Sequence, residues 1–326
     1  MLTRRDAIAG LTSGVSMLIA PRARAQAAYP NRLIKLVVPY PAGGTTDLLG
    51  RLIADRLKRT LSATVIVENK PGAATSLGAE QVARAEPDGY TLLMATSTTL
   101  AINRTLYKQL PYDPVADFAA IALVAAVPFV LVINPSLPAK TLAEFIAFAK
   151  QKPGLTYGSA GNGSPQHLGA EMLKAQAGID IRHVPYRGSV PAMLDVIAGH
   201  ISFMVVDLQP ALQQIREGKL KVLGVTTQKR VAAAPDIPTL SESGLPGYEL
   251  VAWQGVVAPR GTPQPIVARL ATEIGNFVSD EAARGQFAAL ALEPLPPSTP
   301  ESFGSFIKSE GDRWAKIVKA AGIEPE

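Results

Sequence analysis

From residue 33 onward, the apolar positions fall into two alternating rhythms. Residues 33–38 form a short run rich in Leu, Ile and Val, which predicts a buried strand. After Asp47, the residues Leu48, Leu49, Leu52, Ile53 and Leu57 fall on one helical face, as in a helix packed on a sheet. A strand over 64–68 and a helix over about 76–85 follow. The turn Pro87-Asp88-Gly89 then introduces a strand over 90–95. This β-α-β-α-β order predicts a parallel sheet with helices on its faces.

A second series repeats the scheme. Strands are predicted over 129–133, 155–158, 182–184, 201–206 and 220–226. Helices are predicted through Leu142, Phe145, Ile146 and Ala149, then over about 166–177, 190–198 and 210–217. The stretch 235–247 is rich in Pro and Gly. Beyond it come a strand over 253–258, a helical stripe at Ile266, Leu270, Ile274 and Phe277, and a C-terminal helix over 303–318. Two α/β series with a C-terminal return suggest two lobes joined by crossing strands. Open α/β sheets bind ligands outside the carboxyl ends of their strands, so the expected site is the cleft between the lobes.

Composition narrows the picture. At 326 residues the chain is long enough for two cores. It has no cysteine, which excludes disulfides, thiolate catalysis and Cys-ligated zinc. The first 25 residues read as an export signal: Arg4 and Arg5, an uncharged apolar stretch over 7–20, and Ala23-Arg24-Ala25, with Ala25-Gln26-Ala27 as an alternative cleavage site. Thr3-Arg4-Arg5-Asp6 is also compatible with the twin-arginine route. The formal net charge of +5 is partly this segment's. Without Arg4, Arg5, Arg22, Arg24 and Asp6, 28 basic and 26 acidic residues remain, a net charge of +2. No dense basic run carries interleaved aromatics, which argues against a nucleic-acid partner.

Two loops suit an anion. Tyr40-Pro41-Ala42-Gly43-Gly44-Thr45-Thr46-Asp47 follows a strand and opens a helix, so Gly43 and Gly44 permit close backbone approach while Thr45 and first-turn N–H groups face the ligand. An ordinary strand-to-helix turn capped by Thr or Asp has the same sequence. It lacks the Lys-Ser/Thr ending of a nucleotide P-loop. The second loop, Ser159-Ala160-Gly161-Asn162-Gly163-Ser164, has the same logic, with His167 in the first helical turn. One such loop per lobe would suit an anion with carboxylates at both ends. Thr96, Ser97, Thr98 and Thr99, then Pro185-Tyr186-Arg187-Gly188-Ser189, and finally Asp207 also follow strands. Asp207 could receive an ammonium or hydroxyl on a ligand, or cap the following helix. No Gly-x-Ser-x-Gly elbow and no zinc-type histidine spacing occur among His167, His183 and His200, so no cofactor or metal is expected.

The chain resembles the extracytoplasmic receptors of tripartite tricarboxylate transporters, the Bug receptors. The stretches that carry this run in family order: Val38-Pro39-Tyr40-Pro41-Ala42-Gly43-Gly44, Glu68-Asn69-Lys70-Pro71-Gly72-Ala73, Pro87-Asp88-Gly89-Tyr90-Thr91-Leu92, Leu110-Pro111-Tyr112-Asp113-Pro114, Gly158-Ser159-Ala160-Gly161, His183-Val184-Pro185-Tyr186-Arg187-Gly188, Gly218-Lys219-Leu220, Pro235-Asp236-Ile237-Pro238-Thr239 and Ala258-Pro259-Arg260-Gly261-Thr262-Pro263. The resemblance implies an α/β, two-lobed type II periplasmic-binding-protein fold. Residues 28–127 and 251–326 would form lobe one, and 128–250 lobe two. It further implies a monomeric periplasmic receptor that captures a small organic acid and meets membrane transporter subunits. A sensor feeding a histidine kinase, or a secreted hydrolase, would be the competing functions. By motif, the binding residues would be Tyr40, Ala42, Gly43, Gly44 and Thr45, with Ser97, Ser159, Ala160, Gly163, Ser164, His167, Tyr186 and Asp207. Family members often have a third glycine where this chain has Thr45, whose side chain narrows the approach and adds a hydroxyl.

Overall fold

The computed structural model describes residues 29–325, so the export-signal reading lies outside the described residues. The first series forms β1 (Ile34–Val38), α1 (Thr45–Leu61), β2 (Val65–Asn69), α2 (Ser76–Ala83) and β3 (Thr91–Thr96). The Leu49, Ile53 and Leu57 stripe of α1 is fully buried, each side chain contributing about 1.5–3 kcal/mol. A π-helical turn, Thr98–Ile102, runs into the short α3 (Asn103–Leu106).

β4 (Phe118–Ile133) departs most from expectation, being a 16-residue strand where only its last five residues were predicted. Its first part is rich in alanine, a weak strand former, and Pro128 interrupts the run. Both features hide it from pattern reading. The second series comprises α4 (Leu142–Gln151), β5 (Leu155–Ser159), α5 (Pro165–Ala177), β6 (Ile181–Pro185), α6 (Ser189–Ala198), β7 (Phe203–Asp207), α7 (Leu208–Arg216) and β8 (Lys221–Val225). The chain returns through β9 (Val251–Pro259), α8 (Gln264–Ser279), α9 (Glu281–Ala289), β10 (Glu293–Pro294) and α10 (Pro300–Ala320).

The strand order is β2-β1-β3-β9-β4-β7-β5-β6. The two ends are parallel, as predicted: β2 and β3 flank β1, while β6 and β7 flank β5. The middle is not. β9 runs antiparallel to both β3 and β4, and β4 is antiparallel to β7 and β8, so the whole is a mixed sheet. The long strand β4, which pairs in both halves, and the return strand β9, inserted between β3 and the first part of β4, produce this. Along β4, pairing with β9 ends at Pro128, opposite Val251, and pairing with β7 begins at Phe129, opposite Asp207. Proline cannot donate to a ladder, and here it stands at the handover.

The order also fixes the site. β1 and β5 are each the central strand of a half, with successors on either side, so the carboxyl ends of both are topological switch points. The Tyr40–Thr45 and Ser159–Ser164 loops leave from those two ends.

Candidate functional site

The loop after β1 is held by one carboxylate. Asp47 Oδ2 accepts from the Gly43 N–H at 2.9 Å and from Arg51 Nε at 2.9 Å. Its Oδ1 accepts from Arg51 Nη2 at 3.0 Å and Asn69 Nδ2 at 2.9 Å, and the same Asn69 amide donates to the Tyr40 carbonyl at 3.0 Å. Burial raises the Asp47 pKa, but these bonds from Arg51, Gly43 and Asn69 outweigh it and hold the group below the usual carboxylate range. Gly43 is at φ +85°, a left-handed conformation that favours glycine. Its N–H is engaged by Asp47, so Gly43 shapes the loop and does not line the cavity. Gly44 is the N-cap of α1 and offers no side-chain cap, which leaves the positive end of that helix toward the cavity.

That cavity, of about 230 Å³, lies between the two series. Of the predicted residues, Tyr40, Ala42, Gly44, Thr45, Ser97, Ala160 and Asp207 line it. Its apolar walls include Val127, Phe129, Ala252 and Trp253, all from the crossing strands β4 and β9. Four buried polar atoms in this lining have no hydrogen-bond partner among the described residues: Thr45 Oγ1, Ser97 Oγ, Gln166 Oε1 and Gln254 Oε1. Buried polar groups are nearly always paired, so such a cluster marks a place built for another molecule.

The second loop behaves differently from the first. Ser164 caps α5, accepting from the His167 N–H at 3.3 Å, and donates to the Gly161 carbonyl at 2.8 Å. Ser159 Oγ contacts His183 Nε2 at 2.6 Å and accepts from the Gly161 N–H at 3.0 Å. His167 Nδ1 accepts from the Gly163 N–H at 3.1 Å, and its ring stacks on His183 at 3.9 Å. Burial lowers both imidazoles to about 4, aided by Lys174 for His167 and by His167 for His183. Ser159, Gly163, Ser164 and His167 therefore organise the loop and do not line the cavity. Tyr186 also stands off it, donating its hydroxyl to Asp195 Oδ2 at 2.5 Å.

The second uncapped helix facing the cavity is α6. Its N-cap, Gly188, is at φ +141° and supplies no side chain. Ser189 donates to Asp207 Oδ2 at 2.8 Å, and Gln166 Nε2 donates to Asp207 Oδ1 at 3.1 Å. The Thr45 hydroxyl leans toward the same carboxylate without completing a hydrogen bond. Asp207 precedes α7 but makes no side-chain cap there. Burial raises its pKa from 3.8 to about 6, against the opposing hydrogen bonds from Ser189 and Gln166 and the nearby Thr45 hydroxyl. Sequence reasoning missed Gln254 as a cavity residue, and it gave Gln166 and Ser189, which lie in the candidate stretches, no binding role. Gln166 follows a proline at a helix start, and Gln254 sits inside an apolar strand, where an isolated amide was the available signal. Among the described residues, no group of three or more His, Asp or Glu could hold a metal ion.

Known proteins of this shape carry the same architecture. A protein from R. palustris solved with adipate superposes with a TM-score of 0.89 at 36% identity, over 91% of this chain and 100% of that one. MatC from Rhodopseudomonas palustris, solved with bound malate, gives 0.83 at 33% identity, over 89% and 100%. BugT of Bordetella pertussis is 33% identical over 325 residues, 99% of each chain. Residues 49–323 match the model of the tripartite tricarboxylate transporter family receptor. With the two-lobed sheet and a cleft at both switch points, these matches show that the chain belongs to the receptor family of the tripartite tricarboxylate transporters.

Proposed function

We propose that this protein is a monomeric periplasmic receptor that captures a small carboxylate in the cavity between its lobes and presents it, chemically unchanged, to membrane transporter subunits. Lobe one is residues 28–127 with 251–326, and lobe two is 128–250. The handover of β4 pairing between Pro128 and Phe129 supports that division. One observation carries the ligand class: the unpartnered Thr45 and Ser97 hydroxyls stand beside the uncapped start of α1. Hydroxyl and N–H donors at a helix start hold a carboxylate through charge-assisted bonds. Capture without turnover is supported by the Ser159–His183 pair, the nearest thing to a nucleophile and base. Ser159 is fully buried and off the cavity, so no substrate carbonyl reaches it. A periplasmic location is supported by the predicted export signal, and no helix among the described residues is long and apolar enough to cross a membrane.

The test is a thermal-shift panel on protein freed of bound solute by unfolding and refolding. A carboxylate at 100 times its dissociation constant adds about 2.7 kcal/mol, enough to raise the midpoint by several degrees. A shift with at least one small acid, abolished in a Thr45→Val, Ser97→Ala double variant, is the expected result. A response confined to cations or uncharged compounds would refute the carboxylate assignment.

A further inference from the structure

The polar lining of the cavity has two sides, and an anion accounts for one of them. The donors are Thr45, Ser97 and the first turn of α1. The other side consists of acceptors. Asp207 accepts only, so Gln166 must turn its Nε2 toward it, which leaves Gln166 Oε1 without a partner. Gln254 donates its Nε2 to Thr46 Oγ1 at 2.9 Å, and its Oε1 is likewise unpartnered. Both glutamines are at least nine-tenths buried, at 5% and 4% exposure. The acceptors are linked: Gln254 bonds Thr46, the neighbouring Thr45 leans on Asp207, and Asp207 bonds Gln166.

Among the described residues, no lysine, arginine or histidine lines this cavity. A bound carboxylate would therefore set a second negative charge in a desolvated space beside Asp207. Either Asp207 takes up a proton or the ligand brings its own cation. The unpartnered amide oxygens decide between these. A proton on Asp207 supplies one donor, which Gln166 can take by turning its amide over, and leaves Gln254 Oε1 without one. An ammonium group offers three N–H bonds, enough for Asp207, Gln166 and Gln254 together. Resting on the reading of this cavity as a carboxylate receptor site, we infer that the ligand is a small amino acid, its carboxylate at the start of α1 and its ammonium on Asp207. Thr45 opens α1 and turns its hydroxyl toward Asp207, so the two sides of the lining adjoin, as the charged groups of an amino acid do. The apolar walls at Val127, Phe129, Ala252 and Trp253 suit an uncharged side chain.

The groups facing Asp207 are Gln166 from α5, Ser189 from α6 and Thr45 from α1, and the titratable group its charge acts on is the Tyr40 phenol. Asp207, at about 6 in the ligand-free protein, is ionised at neutral pH. Pairing with an ammonium favours the ionised form. Affinity is then level above pH 6 and falls as pH drops below it. Proton uptake on binding would give the opposite slope.

The experiment is calorimetry on refolded, ligand-free protein with matched series: butanoate, 2-hydroxybutanoate and 2-aminobutanoate, then isovalerate and valine. The amino member of each series is expected to bind, with the plain acid weaker by about tenfold or more. Asp207→Asn, close in size and checked for folding by circular dichroism, should abolish that preference. If the variant does not fold, the series on the parent protein decides alone. Equal binding of the hydroxy acid, or binding of the plain acid with one proton taken up across buffers of different ionisation heat, would overturn the ammonium assignment and leave the carboxylate receptor standing. Binding of none of the five would overturn the amino-acid assignment, while the carboxylate receptor stands or falls on the thermal-shift panel.

Discussion

At the scale of single residues, burial turns three titratable groups into opposing levers on stability. Asp207 is raised from 3.8 to about 6, so the folded state holds its proton more tightly than the unfolded chain. Its contribution is fully present below pH 3.8 and is lost as pH rises through about 6. His167 and His183 are lowered from 6.5 to about 4, so they favour folding above pH 6.5 and lose that contribution as pH falls through about 4. In the ligand-free protein, Asp207→Asn is expected to remove the first slope and to gain on the order of 3 kcal/mol at pH 7 relative to its value at pH 4. His167→Asn, which keeps an acceptor where Nδ1 stands, is expected to make acid loss gentler. Urea midpoints at half-unit pH steps measure both; unchanged slopes in either variant would contradict the burial argument. These residues also show how far sequence reading reaches. The Thr45 loop was legible because strand, glycines and hydroxyl adjoin in sequence. Ser164 read as a ligand hydroxyl, and Asp207 as either a ligand acceptor or a helix cap. Ser164 caps its helix, and Asp207 does not. What separates them is contact with Gln166 and Ser189, which lie 41 and 18 residues away from Asp207.

At the scale of elements, the return of the chain through β9 and α10 is tied by one buried carboxylate. Glu310 Oε2 accepts from both Trp253 Nε1 and Trp314 Nε1, each at 2.9 Å, and Arg313 Nη1 donates to both carboxylate oxygens, at 3.3 Å to Oε1 and 3.2 Å to Oε2. Glu310→Ala leaves two buried indole N–H groups unpaired, with an expected cost of about 2–4 kcal/mol. Glu310→Gln keeps an acceptor oxygen and is expected to lose clearly less. Denaturant unfolding of the two variants gives the comparison, and equal losses would mean that the indole bonds carry little. The helices and short strands of each series were legible from period and turn residues. β4 was not, because alanine and Pro128 argue locally against a strand that pairing on both edges enforces.

At the scale of the whole molecule, the two lobes meet closely around the cavity. A side chain placed at Gly188 would come within 3.6 Å of the Pro41 ring. At Gly163, which is at φ +67°, an added Cβ would stand 1.8 Å from Leu106 Cδ1 on the opposite lobe. Gly163→Ala is therefore expected to wedge the lobes apart and weaken ligand binding about tenfold. Adding Leu106→Ala clears the space and should recover part of the loss. X-ray scattering with and without ligand, alongside affinity, tests the wedge: a variant that compacts like the parent would remove it.

The Glu310 clip has an optical consequence. Trp253 and Trp314 are the only tryptophans in the 326 residues, both hydrogen-bond the same carboxylate, and Trp253 also forms part of the cavity wall. The protein's entire indole emission thus arises from one buried junction, one face of which lines the cavity. Filling the cavity is expected to change the intrinsic fluorescence, so titrations need no label.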